Sequence, residues 1–241
     1  MSYMIDRYSA ALVAELAPQL AERGLQYSPE LSDEECQWFV GPVSAGSDLT
    51  KAVVFSISQL KEGHGLFVVA DLISTGVAQV VRDLPRAGWI SEAPAAGEPD
   101  LGRVDFTRFA EHIPAGEYDL YGLHEMAHVA KAAAWIMRCL DGPVSEWFSQ
   151  RDCLDKLIPL AGHPRPNMVN RPNPSPFARR LRTTVILCVL NGRLTAASDL
   201  MGWYLESGRF AKVDSFDRAT AFDAALCERF PGYAEARTLT A

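Results

Sequence analysis

Apolar positions near the start of the chain recur with a helical period. Leu12, Val13, Leu16, Ala17 and Leu20 fall on one side of a 3.6-residue repeat, so residues 8–23 predict an amphipathic helix. Gly24 stands where a glycine commonly closes such a helix, and Pro18 predicts a kink or a later start. The period then shortens to two. Residues 36–43 hold Trp38, Phe39 and Val40. Residues 51–60 alternate, with Val53, Phe55 and Ile57 on one side and Ser56 and Ser58 on the other; residues 66–73 are nearly unbroken in apolar side chains. Lys61-Glu62-Gly63-His64-Gly65 is short and glycine-bearing, as a hairpin link needs. Links of this length cannot carry a parallel crossover, so the three strands predict an antiparallel meander with helices over one face.

Helical spacing returns after the strands. Val77, Val80, Val81 and Leu84 predict a short helix stopped at Pro85, and residues 93–102 read as a loop. Asp105 is placed to cap a helical turn carrying Phe106, Phe109, Ala110 and Ile113. A stronger helix is expected over 120–140, with Asp119 as its N-cap and Gly142 just past its end. Residues 144–160, with Trp147 and Phe148, predict another. Residues 163–176 hold five prolines and three asparagines, which sustain neither helix nor central strand. Three helical segments follow, at 177–190, 195–206 and 216–230. The expected fold class is therefore α+β: a small antiparallel sheet packed with helices over residues 1–162, a proline-rich linker at 163–176, and a helical subdomain at 177–241.

Composition narrows this picture only a little. With 48% hydrophobic and 22% charged residues among 241, the chain can build an ordinary core. No apolar run is long enough to span a bilayer, and the first residues lack the pattern of a signal peptide, so no membrane partner is expected. Cys36, Cys139, Cys153, Cys188 and Cys227 form no Cys-x-x-Cys pair; an odd, scattered set fits a reducing cytoplasm better than a disulfide scaffold or a thiolate zinc site. The preference for Arg over Lys and the abundant Ala fit a GC-rich bacterial genome. A net charge of −7 argues against nucleic acid as a partner. Phosphate-binding glycine loops and a Gly-x-Ser-x-Gly elbow are absent from the sequence.

One motif carries chemistry. His124-Glu125-Met126-Ala127-His128 has the spacing of a zinc-protease helix, where residues four apart share a face and both imidazoles reach one metal. Glu125 would then serve as general base toward a metal-bound water. Glu146 is the downstream candidate for a third ligand, although Gly142-Pro143 intervenes; His112, Asp119 and His163 are weaker candidates. A helical wheel gives the opposite reading as well. Leu123, Ala127, Ala130, Ala134 and Met137 make a core stripe, and His124 and His128 fall on its flank with Lys131 and Trp135. His64, in the glycine link, reads as a solvent-exposed turn residue.

Charge is unevenly spread. Residues 157–198 contain no Asp or Glu but hold Arg165, Arg171, Arg179, Arg180, Arg182 and Arg193. Arg179, Arg180 and Arg182 are candidates for binding an anion, a small acidic ligand, because guanidinium groups pair bidentately with carboxylate and phosphate; the protein partner stays unspecified. Ser175 lies where a helix N-terminus could receive an anion. The same arginines could instead pin the C-terminal helices to acids elsewhere, or form the wet side of a helix whose other side is Phe177, Leu181 and Val185.

Two resemblances follow from these residues. The five-residue His-Glu-x-x-His segment resembles that of the zincin metallopeptidases, without the third histidine of their extended pattern. The order of elements over residues 8–160, ending in Gly142-Pro143-Val144-Ser145-Glu146-Trp147-Phe148, resembles a group of bacterial α+β domains to which no activity is assigned. That likeness implies a structural slot for the histidine-bearing helix and carries over no catalytic residue. Two functions are thus expected: a binding or accessory protein without a complete catalytic site, or a zinc-dependent hydrolase using His124, His128 and Glu125.

Overall fold

The computed structural model describes residues 3–44, 48–85, 101–106, 121–162, 178–208, 210 and 214–240. The chain is α+β, and its contacts gather it into two compact units. One holds residues 1–72 and 102–150; the other holds residues 73–101 and 151–241. Residues 73–101 and 151–162 thus group with the C-terminal helices rather than with the sheet. The proline-rich stretch 163–176, most of the loop 93–102, Asp119, His112, His163 and Ser175 lie outside the described residues.

The first unit is built on a sheet in the order β1 (Gln26–Tyr27), β2 (Cys36–Pro42), β3 (Thr50–Gln59), β4 (His64–Ile73) and β5 (Gly102–Asp105). β6 (Tyr121–Leu123) also pairs with β4, through residues 64–66, while β5 pairs through 69–72. β2 to β4 are the expected meander, and β1, β5 and β6 extend it. Residues 102–105 are strand, so Asp105 does not cap a helix; it lies opposite Val69. Val53, Phe55 and Ile57 share a face with Phe39, Leu66, Val68 and Ala70, and these side chains form one core with helices α1 (Tyr3–Ala21) and α3 (Ala127–Cys139). Tyr8, Leu12, Leu16 and Leu20 are the buried stripe of α1, as its period requires.

α1 ends in a Schellman closure. The Leu25 amide donates to the Leu20 carbonyl at 2.9 Å, the Gly24 amide donates to the Ala21 carbonyl at 3.0 Å, and Gly24 takes φ +74°. This turn rests on β2. A Cβ at Gly41 would lie 1.9 Å from the Gly24 carbonyl oxygen, so the strand and the helix end meet backbone to backbone. Arg23 then ties the same turn to Asp141 by a bidentate pair at 2.6 and 2.8 Å.

α3 is shorter than expected. It begins at Ala127, because residues 121–123 pair as strand with β4. Its buried residues are Val129, Ala132, Ala133, Trp135, Ile136, Met137 and Cys139; Ala127, Ala130 and Ala134 are exposed. The alanines assigned to the core stripe therefore face outward, and Trp135 is fully buried against Phe106. Tryptophan contributes far more apolar area than alanine, and the larger side chains decide which face turns inward. A π-helical turn (Leu140–Val144) containing Gly142 and Pro143 leads into α4 (Ser145–Ser149). The single helix expected over 144–160 is thus two, broken before α5 (Leu154–Ala161) at the extended Cys153.

The second unit is helical: α2 (Thr75–Asp83), α5, α6 (Ala178–Leu190), α7 (Leu194–Ser207), α8 (Phe216–Arg229) and α9 (Pro231–Thr240). α2 is capped by Ser74, whose hydroxyl accepts from the Val77 amide. α6 packs against α2, α5 and α7, and is buried on nearly every side. Arg182 lies in it with 0% exposure. Its guanidinium meets Asp214 at 2.5 Å, and the Asp214 carboxylate also accepts from the Tyr204 hydroxyl at 2.6 Å and the Ser215 amide at 2.8 Å. The Phe222 ring lies 5.0 Å from the guanidinium. Burial lowers the Arg182 pKa against the opposing effect of Asp214; burial and the bond to Asp214 raise that of Tyr204. Among the described residues, no helix is long and apolar enough to cross a membrane.

Asp214→Asn keeps the shape of this cluster but leaves Arg182 charged and uncompensated. It is expected to cost about 3–5 kcal/mol in urea unfolding. Asp141→Asn at the half-exposed Arg23 pair should cost no more than about 1 kcal/mol. Equal shifts for the two variants would show that the buried pair holds nothing special. Burial also pushes the Cys139 thiol up to about 11 and the Cys188 thiol up to about 12, whereas Cys153 is exposed. Iodoacetamide at mildly alkaline pH should therefore label Cys153 in the native protein and leave Cys139 and Cys188 unmodified until it unfolds, as read by peptide mass spectrometry.

Candidate functional site

The His-Glu-x-x-His segment lies only partly in a helix. β6 ends at Leu123 and α3 starts at Ala127, so His124, Glu125 and Met126 form the turn between them, and Ala127 and His128 open the helix. The two imidazoles do not share a helical face; their centroids are 5.9 Å apart and their planes nearly perpendicular at 88°. His128 acts on the turn itself. Its Nδ1 accepts the His124 amide proton at 3.2 Å, and its Nε2 lies 3.4 Å from Glu125 Oε1. The side chain does the work of a cap, satisfying one amide that the incoming strand leaves unpaired.

The neighbouring hairpin is shaped around His124. A Cβ at Gly63 would stand 2.5 Å from its Nδ1, and a Cβ at Gly122 would stand 3.1 Å from its Nε2. Gly63 also holds φ +81°, so glycine there serves both the turn and the close approach of the ring. Glu125 is 66% exposed. Glu146 sits in α4 with its carboxylate accepting from Gln150. It is not brought together with His124 and His128: among the described residues, no three His, Cys, Asp or Glu side chains group as a metal site needs.

His64 is not a solvent-exposed turn residue. It opens β4 opposite Leu123, is 8% exposed, and packs on the Tyr8 ring at 5.1 Å. Its Nε2 is buried without a hydrogen-bond partner. Its inward direction follows from strand alternation, since β4 begins at His64 and Leu66, Val68 and Ala70 share its face.

The three candidate anion-binding arginines separate. Arg182 is neutralised by Asp214 inside the helical unit, so it is no part of a wet helix side. Arg179 and Arg180 are half-buried on the first turn of α6, and their carbonyls accept from the hydroxyls of Thr183 and Thr184. Burial, with the charge of Arg180 nearby, pulls the Arg151 guanidinium down to about 10. Arg193 pairs with Asp155 at 2.7 Å. Two arginines of the basic stretch, Arg182 and Arg193, are thus engaged by carboxylates of their own unit.

A different feature stands open in the sheet unit. A groove of about 480 Å³ runs between α1 and the β1–β2 edge. Ala10, Val13 and Ala14 of α1 line it, and Asp6, Asp33 and Glu34 stand around it. Tyr27 and Gln37 form part of its wall. The Tyr27 hydroxyl donates to Gln37 Oε1 at 2.8 Å, and Gln37 Nε2 donates to the Asp33 carbonyl at 2.7 Å. One carboxylate oxygen of Asp33 accepts the amides of Glu35 and Cys36, which fixes the group in place.

The chain matches no protein-family model, no curated protein and no solved structure. The geometry alone therefore carries the functional reading. The acidic run at 30–35 is visible in the sequence, but its convergence with Asp6 is not, because that depends on how α1 lies against the strands.

If the turn is built as described, Gly63→Ala should destabilise the protein by at least about 1 kcal/mol. Part of that loss should return in Gly63→Ala/His124→Ala, with a coupling of about 0.5 kcal/mol or more in a double-mutant cycle. His128→Ala should cost about 1 kcal/mol by removing the acceptor. Additive losses in the cycle would show that the ring does not rest on the hairpin.

Proposed function

We propose that the protein is a binding or accessory protein without a catalytic site of its own, acting through the acidic surface of its sheet unit. The observation that carries this is the division of charge between the two units. Residues 1–72 and 102–150 hold 17 acidic and 8 basic side chains, a net of −9; residues 73–101 and 151–241 hold 13 acidic and 15 basic, a net of +2. In the helical unit, Arg182, Arg193, Arg229 and Arg237 pair with Asp214, Asp155, Asp83 and Asp223. In the sheet unit the acids outnumber their possible partners twofold, and Arg23 and Arg103 are taken by Asp141 and Asp71. An uncompensated field of this kind draws basic partners and raises their rate of encounter. The capping role of His128 supports the same reading, since it gives the one catalytic-looking motif a structural task.

Two measurements test it. A broad hydrolase panel, run on the wild type and on Glu125→Gln, is expected to find no turnover that depends on Glu125; turnover abolished by that change would replace this reading with the zinc-hydrolase one. Retention on a poly-L-lysine surface should be clear at low salt and fall steeply between about 0.05 and 0.3 M NaCl. No retention at low salt would remove the acidic surface as the working element.

A further inference from the structure

We infer that the groove between α1 and the β1–β2 edge is the docking site for an arginine- or lysine-bearing segment of a protein partner. This rests on the binding reading above and names its site and its ligand chemistry. Three observations converge. First, the groove is lined by both apolar and carboxylate side chains. Ala10, Val13 and Ala14 would serve as a floor for an aliphatic stem, and Asp6, Asp33 and Glu34 of the same lining would meet its cationic head. Alanine at two of the three floor positions keeps the groove open.

Second, the three carboxylates are uncompensated. Among the described residues none of them makes an ion pair, although cations are close by in the chain: Arg7 lies over the Tyr3 ring and Arg23 is bound to Asp141. Third, part of the wall is already set. Asp33 is held by two backbone amides, and the Tyr27–Gln37 pair is locked to the Asp33 carbonyl, so this part needs little ordering on binding. The size of the groove is that of a ligand site rather than of a single ion. The net −9 of the unit supplies the longer-range attraction.

Fluorescence anisotropy on the full chain tests this with a short labelled peptide of arginines spaced by alanines, and with the same peptide carrying neutral citrulline for arginine. The arginine peptide is expected to bind and the citrulline peptide not to. Asp6→Asn/Glu34→Gln should weaken binding by about tenfold or more, and Ala14→Trp, which fills the floor without changing charge, should weaken it too. Glu15→Gln/Glu22→Gln removes the same charge from exposed positions of the same region and should leave affinity within about twofold. Circular dichroism confirms that each variant is folded. Equal weakening by the two double variants would overturn the site and leave only a general acidic attraction. Spermine binding with the same sensitivity to Asp6→Asn/Glu34→Gln, while Ala14→Trp has no effect on either ligand, would make the groove a small-polycation site instead. These outcomes are separate from the turnover panel, so the site can fail while the binding role stands.

Discussion

A guanidinium with no exposed surface has to be neutralised where it lies, and Arg182 sets that requirement at the centre of the helical unit. Helix α6 is buried on nearly all sides, so an arginine on it cannot turn to water. The carboxylate of Asp214, the hydroxyl of Tyr204 and the ring of Phe222 must come to it. These come from α7, from the segment before α8, and from α8 itself. The position of each helix is thereby tied to one charge. Apolar packing alone would tolerate some sliding of these helices; a desolvated ion pair with bonds at fixed distances tolerates much less.

That demand has a consequence for the rest of the molecule. Four arginines of the helical unit, Arg182, Arg193, Arg229 and Arg237, are held by Asp214, Asp155, Asp83 and Asp223 of the same unit. A basic stretch in the sequence therefore does not become a basic surface in proportion to its length. The acidic excess, by contrast, belongs to the sheet unit, where a small core of strands and two main helices leaves most carboxylates facing water. What the linear sequence presents as an arginine-rich segment in an acidic chain is, in three dimensions, a nearly neutral unit and a strongly negative one.

The parts of the fold that were legible are those fixed by local pattern. The two-residue alternation of Val53, Phe55 and Ile57 places them on the core face, and the glycine link yields the β3–β4 turn. The stripe from Leu12 to Leu20 buries α1, and Gly24 closes it. The start of α3 was not legible, because Tyr121 and Gly122 have no helical preference strong enough to resist pairing with β4, and that pairing partner lies some sixty residues away. The same displacement took His124 off the helix and left His128 in its first turn, so the two do not share a helical face. Wheel positions failed for α3 because alanine marks a face only weakly, while Trp135 decides it. The buried state of Arg182 was hidden for a similar reason: nothing near it in the sequence marks Asp214 as its partner, thirty-two residues on. Helix α9 is hard to read from the sequence, since the apolar spacing in 231–240 is slight; Pro231 at its first position is its one local signal.

Gly24 and Gly41 meet with no side chain between them. The contact joins the end of α1 to β2 across a short stretch of chain, so the ordering cost of closing that loop is small. Local contacts of this kind form early when a chain folds, ahead of the distant pairings of β5 and β6 with β4. The helix end, β1 and β2 are therefore expected to act as the folding nucleus of the sheet unit. The groove along α1 would then be among the first parts of the surface to take its final shape.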